Sequence, residues 1–194
     1  MTDQLLGGRL ALLAPDELST EQRRLHDRLT STRVSRATST GYRAALPDGR
    51  LIGPFNAFLR APAIAEQQLA WAQAISAADL PGGVREVVVL TVAAEWNAEY
   101  ATYAHRIAAR GAGVPEASIT ALTDRRPPPG LEPDELLAHR LALALVRDHD
   151  VPDPLYAEVV ETFGEHRTVV LLALIGQYLA TSALLTCFRV SAPR

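Results

Sequence analysis

Arg85-Glu86-Val87-Val88-Val89-Leu90-Thr91-Val92-Ala93-Ala94-Glu95-Trp96-Asn97-Ala98-Glu99-Tyr100-Ala101-Thr102-Tyr103-Ala104-His105 decides the fold. As one unbroken helix, rising 1.5 Å per residue, this stretch would hold Glu86 and His105 about 28 Å apart. Asn97 supplies a different reading. Asn is a strong N-cap, and Glu99 just beyond it suits the positive end of a helix dipole. One helix ending near Trp96 and a second starting at Asn97 and doubling back would bring Glu86 and His105 to similar depth. A carboxylate facing an imidazole is a proton-transfer pair, because His titrates near physiological pH. The plainer alternative is a first-turn acid complementing a dipole and a satisfied interhelical histidine.

With Arg85-Glu86 opening an apolar helix and His105 in the next, the stretch resembles the carboxymuconolactone decarboxylase and alkylhydroperoxidase-D superfamily. The flanks agree in order. Gly53-Pro54-Phe55-Asn56-Ala57-Phe58-Leu59 followed by Ala61-Pro62 is similar to the family's opening segment, and Gly176-Gln177-Tyr178 through Leu185-Thr186-Cys187-Phe188 to its last helix. The resemblance spans about Pro15 to Val190. It implies an all-α, single-domain helical bundle of the alkylhydroperoxidase-D-like type with about seven to eight helices.

One departure decides the chemistry. Peroxidase members of the family carry Cys-x-x-Cys in the second helix, and those positions are Ala98 and Ala101 here. A thiol peroxidase needs one thiolate to attack and a second thiol to resolve the product. The sole cysteine, Cys187, lies far along the chain. Many decarboxylase-like members have Glu where Ala101 stands. Glu99 does not replace it, since two residues along a helix turn through about 200°.

Composition sets further bounds. A chain of 194 residues with 48% hydrophobic residues can build one real core. A net charge of −3 offers nothing to nucleic acid. A single cysteine rules out an internal disulfide and fits a reducing cytoplasm. The chain contains no lysine, which removes Schiff-base catalysis and a lysine-anchored pyridoxal cofactor. Met1-Thr2-Asp3-Gln4-Leu5 lacks the pattern of a signal peptide. Residues Thr168 to Phe188 are uncharged over a length that spans a bilayer, but Gln177, Tyr178, Thr181, Ser182 and Thr186 interrupt them. A helix buried in the core or between subunits is expected, and no membrane partner.

Helical periods run through most of the remainder. Ser19-Thr20-Glu21-Gln22 is a capping-box start for a helix to about Leu29. Residues 31–52, rich in Ser, Thr, Arg and Gly, read as a mobile loop or arm. Helices are expected from Pro62 to about Ala78, from Pro115 to Leu122, from Asp134 to His149, from Pro154 to Phe163 and from Glu165 to Phe188, with no strand. Arg125-Arg126-Pro127-Pro128-Pro129-Gly130 reads as a stiff connector inside one domain covering residues 1–194. His26, His139, His149 and His166 are too scattered for a metal site, so no metal is expected. His139 and His149 are expected on solvated faces.

Taken with the resemblance, the chain is expected to be a cofactor-independent lyase acting on a small or medium organic acid or lactone. His105 would be the general acid/base and Glu86 would orient it. Tyr100 and Tyr103 would hydrogen-bond an oxyanion, Arg85 or Arg60 would hold a carboxylate, and Trp71, Trp96 and Tyr178 would form apolar walls. The alternatives are a proton-shuttling isomerase or cyclase of secondary metabolism, and a non-catalytic binding or assembly protein. The all-round apolar last helix and the resemblance both point to a homo-oligomer: a dimer, trimer or hexamer.

Overall fold

The central element is α5 (Gly82–Glu95), whose valines, leucine and alanines are buried on every side. A helix apolar all round must be enclosed. Four helices enclose it: α6 (Glu99–Gly111), α7 (Glu116–Thr123), α8 (Pro133–Leu143) and the long α9 (Asp153–Phe188). Val84, Val88 and Val92 of α5 meet Leu137 and Leu141 of α8 and Leu171 and Ile175 of α9 in the largest core cluster. A second cluster joins Leu25 and Leu29 of α1 (Thr20–Leu29), Ala37 of α2 (Ser35–Thr40), Phe55 and Phe58 of α3 (Pro54–Phe58), and Leu69 of α4 (Pro62–Ala77). The computed structural model describes residues 6–193, whose regular secondary structure is helical apart from one isolated bridge between Ala45 and Leu51. Met1–Leu5, where the sequence shows no signal-peptide pattern, lies outside the described residues.

The expected helical hairpin forms, with a different pivot. Asn97 is not an N-cap; its φ of 51° places it in the left-handed region, and Ala98 precedes the first turn of α6 without a side-chain cap. A reversal this short needs one left-handed residue, and Asn tolerates that better than most. The Asn97 carboxamide oxygen instead accepts from Arg125 at 2.7 Å.

Residues 31–52 are not a loop throughout. Helix α1 continues through a π-helical turn, Thr30–Val34, into α2. The hydroxyls of Ser31, Thr32, Thr38 and Thr40 donate to carbonyls four residues back, so they lie along the helix rather than breaking it. Gly41 ends α2 with φ 98°, and the loop beyond it buries Leu46, Leu51 and Ile52. The two expected C-terminal helices run as one span interrupted at Gly164, whose φ/ψ of 72°/164° no α-helix contains. Helix α8 proper ends at Leu143, but the helical span continues to the expected His149. A second π-helical turn, Ala144–Asp148, comes next, and His149 closes it in the left-handed region.

Capping and ion pairs fix the ends. Ser19 and Gln22 form the expected capping box on α1. Arg147 grips Glu95 with Nε and Nη2, at 2.9 and 2.6 Å, and ties the end of α5 to the turn after α8. The inner face of α9 is buried, but Val169 and Leu172 stand 64% and 42% exposed on its outer face. The expectation of a fully enclosed last helix therefore holds on one side only within a single chain.

Candidate active site

The hairpin of α5 and α6 sets Glu86 against His105. Glu86 Oε2 lies 2.7 Å from His105 Nδ1, and both side chains are largely buried. From α9, the Tyr178 hydroxyl lies 2.9 Å from His105 Nε2, its ring edge-on to the imidazole with centroids 5.0 Å apart. An ionised carboxylate only accepts, so Nδ1 carries the proton it donates to Glu86. In neutral His105, Nε2 is then an acceptor and Tyr178 donates to it. In the imidazolium, Nε2–H donates to the Tyr178 oxygen. The three side chains form a line along which a proton can move either way.

These groups line a cavity of about 510 Å³ between α2, α4, α5, α6 and α9. Leu69, Ala72, Ile75 and Leu174 supply apolar wall, and Gln68, Gln177 and Thr181 supply neutral polar groups. Burial raises the Tyr178 phenol far above its ordinary range, with the Glu86 and Tyr42 charges acting in the same direction. Burial likewise raises Tyr42 and Tyr100. A free phenolate in this cavity is therefore costly, and Tyr178 serves better as a carrier that takes one proton while passing on another.

Of the residues expected at the site, His105, Glu86, Arg85, Tyr100 and Tyr178 do line this cavity. Tyr178 does more than provide wall, since it holds the second histidine nitrogen. Tyr100 lines the cavity with its ring, but its hydroxyl is spent donating to Arg43 O at 2.7 Å. The other four lie elsewhere. Tyr103 accepts from the Arg43 N–H and faces a separate surface depression with Arg106 and Arg110. Arg60 is consumed locally, donating to Asn56 O, Asn56 Oδ1 and Ala11 O. Trp71 is 42% exposed on the outer side of α4, against Gly176. Trp96 caps α5 at the surface, where its carbonyl accepts from Thr186. A long side chain near a motif in sequence need not share its face.

Sequence reasoning missed Arg33, Arg36 and Tyr42, which reach the cavity from the segment read as a loop. The signal that would have found them is the run Leu25, Leu29 and Ala37, all fully buried and spaced as one continued helical face. His139 is not on a solvated face. It is 9% exposed, with Nδ1 2.8 Å from Thr91 Oγ1, and bonds α8 to α5 inside the core. Among the described residues no three His, Cys, Asp or Glu side chains converge as a metal site would require. Ala101 lines the cavity near His105 and Ala98 is buried at the hairpin turn, so neither family cysteine position carries sulfur. Cys187 is exposed near the end of α9.

The helical bundle has the AhpD-like fold. One solved structure similar to this chain is the alkylhydroperoxidase AhpD core of an uncharacterized peroxidase-related protein from Ralstonia eutropha JMP134. The TM-score is 0.75 at 14% identity, covering 96% of this chain and 93% of that one. No family model matches the sequence, and no curated protein is similar to it.

Proposed function

We propose that the protein is a cofactor-independent, decarboxylase-like lyase acting on a small or medium organic acid or lactone. His105 is its general acid/base and Glu86 holds the histidine. The observation that carries this reading is the line Glu86–His105–Tyr178 ending at a cavity large enough for such a substrate. In decarboxylation, the bond to the carboxylate breaks and its electron pair stays on carbon. A proton then passes from the imidazolium to the Tyr178 oxygen while the Tyr178 proton goes to that carbon. Neutral His105, still bonded to Glu86, is left behind.

The resting hydrogen bonds also favour a second reading. Neutral His105 already accepts from Tyr178, an arrangement set to take up a proton, so an isomerase that moves a proton alpha to a carbonyl uses the same line in reverse. Thiol peroxidase chemistry finds no support, because Ala98 and Ala101 offer no nucleophile.

The test is proton NMR in D₂O with carboxylated lactones and 3-oxo acids. Loss of the carboxyl group with deuterium at the vacated carbon marks the lyase, and deuterium uptake without loss marks the isomerase. Replacing His105 by Ala should lower either rate on the order of 10² to 10⁴. A folded His105→Ala protein with full activity would refute the proposal.

A further inference from the structure

We infer that Tyr42 is a catalytic residue of this site, its hydroxyl donating a hydrogen bond to the substrate oxygen that becomes negative as the carbanion forms. The inference rests on the proton-transfer reading for its chemistry, and on the cavity alone for its geometry.

Both reactions open to the His105 line pass through one kind of species. A carbon that loses carbon dioxide, or a proton, keeps the electron pair, and an adjacent carbonyl draws that pair onto oxygen as an enolate. His105 and Tyr178 handle the proton at carbon, so the oxygen needs a donor of its own. A neutral hydroxyl fixed in place beforehand suits this role, because nothing has to reorganise as the charge appears.

Elimination leads to Tyr42. Of the hydroxyls lining the cavity, those of Thr40 and Thr181 donate to Arg36 O and Gln177 O in their own helices. The Tyr100 hydroxyl donates to Arg43 O, and the Tyr178 hydroxyl meets His105 Nε2. Ser76 is exposed on the last turn of α4. Tyr42 remains, and its hydroxyl has no hydrogen-bond partner among the described residues. Nor is it sealed in. The side-chain atoms there that are both sealed and unpartnered are Arg85 Nε and Ser182 Oγ. The Tyr42 hydroxyl therefore keeps open space before it, on a side chain that lines the same cavity as His105.

The fold holds this side chain still. Gly41 ends α2 at φ 98°, and the Tyr42 N–H donates back to Ala37 O at 3.0 Å. That closure is a Schellman motif, which fixes the backbone of its last residue. The ring packs against two core clusters, one holding Leu25, Leu29 and Phe55 and the other Tyr100, Ala101 and Ala104. The next residue, Arg43, is held through its carbonyl by Tyr100 and through its N–H by Tyr103. Burial raises the Tyr42 pKa and keeps the phenol protonated, while the Arg36 charge opposes that rise and sharpens the O–H as a donor. Through the reaction Tyr42 keeps its proton. The proton that reaches carbon comes from Tyr178, so atoms and charge balance without a further group.

The test is Tyr42→Phe, which keeps the ring and removes only an unpartnered hydroxyl, so the variant should melt with the parent. In the D₂O assay kcat should fall about 10²-fold, as loss of one oxyanion donor does, and KM should barely move. 4-Nitrophenolate, whose delocalised oxyanion imitates an enolate, gives a readout that needs no turnover. Titrated into the full chain and followed by its absorption band, it should bind the parent and bind Tyr42→Phe about tenfold more weakly. A folded Tyr42→Phe protein with the parent's rate overturns the inference. So does 4-nitrophenolate affinity that is equal in the two proteins or absent from the parent. His105→Ala separates the two proposals. If the rate ignores His105 while 4-nitrophenolate binding depends on Tyr42, the proton-transfer reading fails alone. If turnover depends on His105 and ignores Tyr42, this inference fails alone.

Discussion

His139 should make the protein lose stability in mild acid. Its imidazole is buried between α8 and α5, with Nδ1 2.8 Å from Thr91 Oγ1, which itself donates to Val87 O at 2.7 Å. Burial, and then the nearby Arg147 charge, lowers its pKa from 6.5 to about 4, with Glu95 opposing. The unfolded chain therefore takes up a proton on His139 in the window between these values that the folded chain refuses. Stability from this group is complete above pH 6.5 and falls as pH drops toward 4. At about 1.4 kcal/mol per pH unit, the loss is about 2 kcal/mol by pH 5 and reaches about 3 kcal/mol below the folded value. That is a large share of a typical folding free energy of about 5–15 kcal/mol. Urea unfolding at about pH 7.5 and about pH 5 would measure it, with His139→Gln as the control that keeps a polar group but does not titrate. The variant should lose about 2 kcal/mol less than the parent between the two pH values. An equal loss in both proteins would refute the reasoning.

Glu86→Gln removes the carboxylate that accepts from His105 Nδ1, so turnover should fall while the protein stays folded; an unchanged rate would break the proposed coupling. Gly53→Ala should destabilise the protein by about 2–4 kcal/mol in denaturant melts. Gly53 holds φ 65°, and an added Cβ would stand 2.3 Å from Tyr100 Cε1, in the cavity wall. The chain should assemble as a homo-oligomer through the apolar side chains left exposed on α4 and α9, Ile64, Trp71, Val169 and Leu172. Light scattering should report more than one copy at micromolar concentration, and Trp71→Glu with Val169→Glu should shift the population toward monomer.

The hairpin was legible because two rules agreed: an apolar run too uniform to lie on a surface, and a polar break in its middle. Glu86 and His105 then came from that spacing taken together with the family resemblance. What sequence patterns obscured was direction. Arg60, Trp71, Trp96 and Tyr103 were read as site residues, yet none of them lines the cavity, which single-helix spacing cannot reveal. The arm failed for a different reason. Its Ser and Thr residues disfavour helix in isolation, but here their hydroxyls fold back onto the helix and buried Leu25, Leu29 and Ala37 hold it to the core. Tertiary packing overrode propensity, and the arginines that the arm carries were lost with it. His139 looked like a surface residue because nothing in sequence announces that Thr91, on another helix, is its partner.

The π-helical turn at Thr30–Val34 lets the arm absorb one extra residue. Such a turn holds one residue more than an α-helical turn, so deleting a single residue there would restore ordinary winding while leaving the chain beyond it nearly in the same orientation. Leu25 and Leu29 before the turn and Ala37 after it would keep their seats, and Arg36 would stay at the cavity. Glu86, His105 and Tyr178 lie on other helices altogether. The arm can thus gain or lose one residue at this turn while the cavity wall and the proton-handling line keep their places.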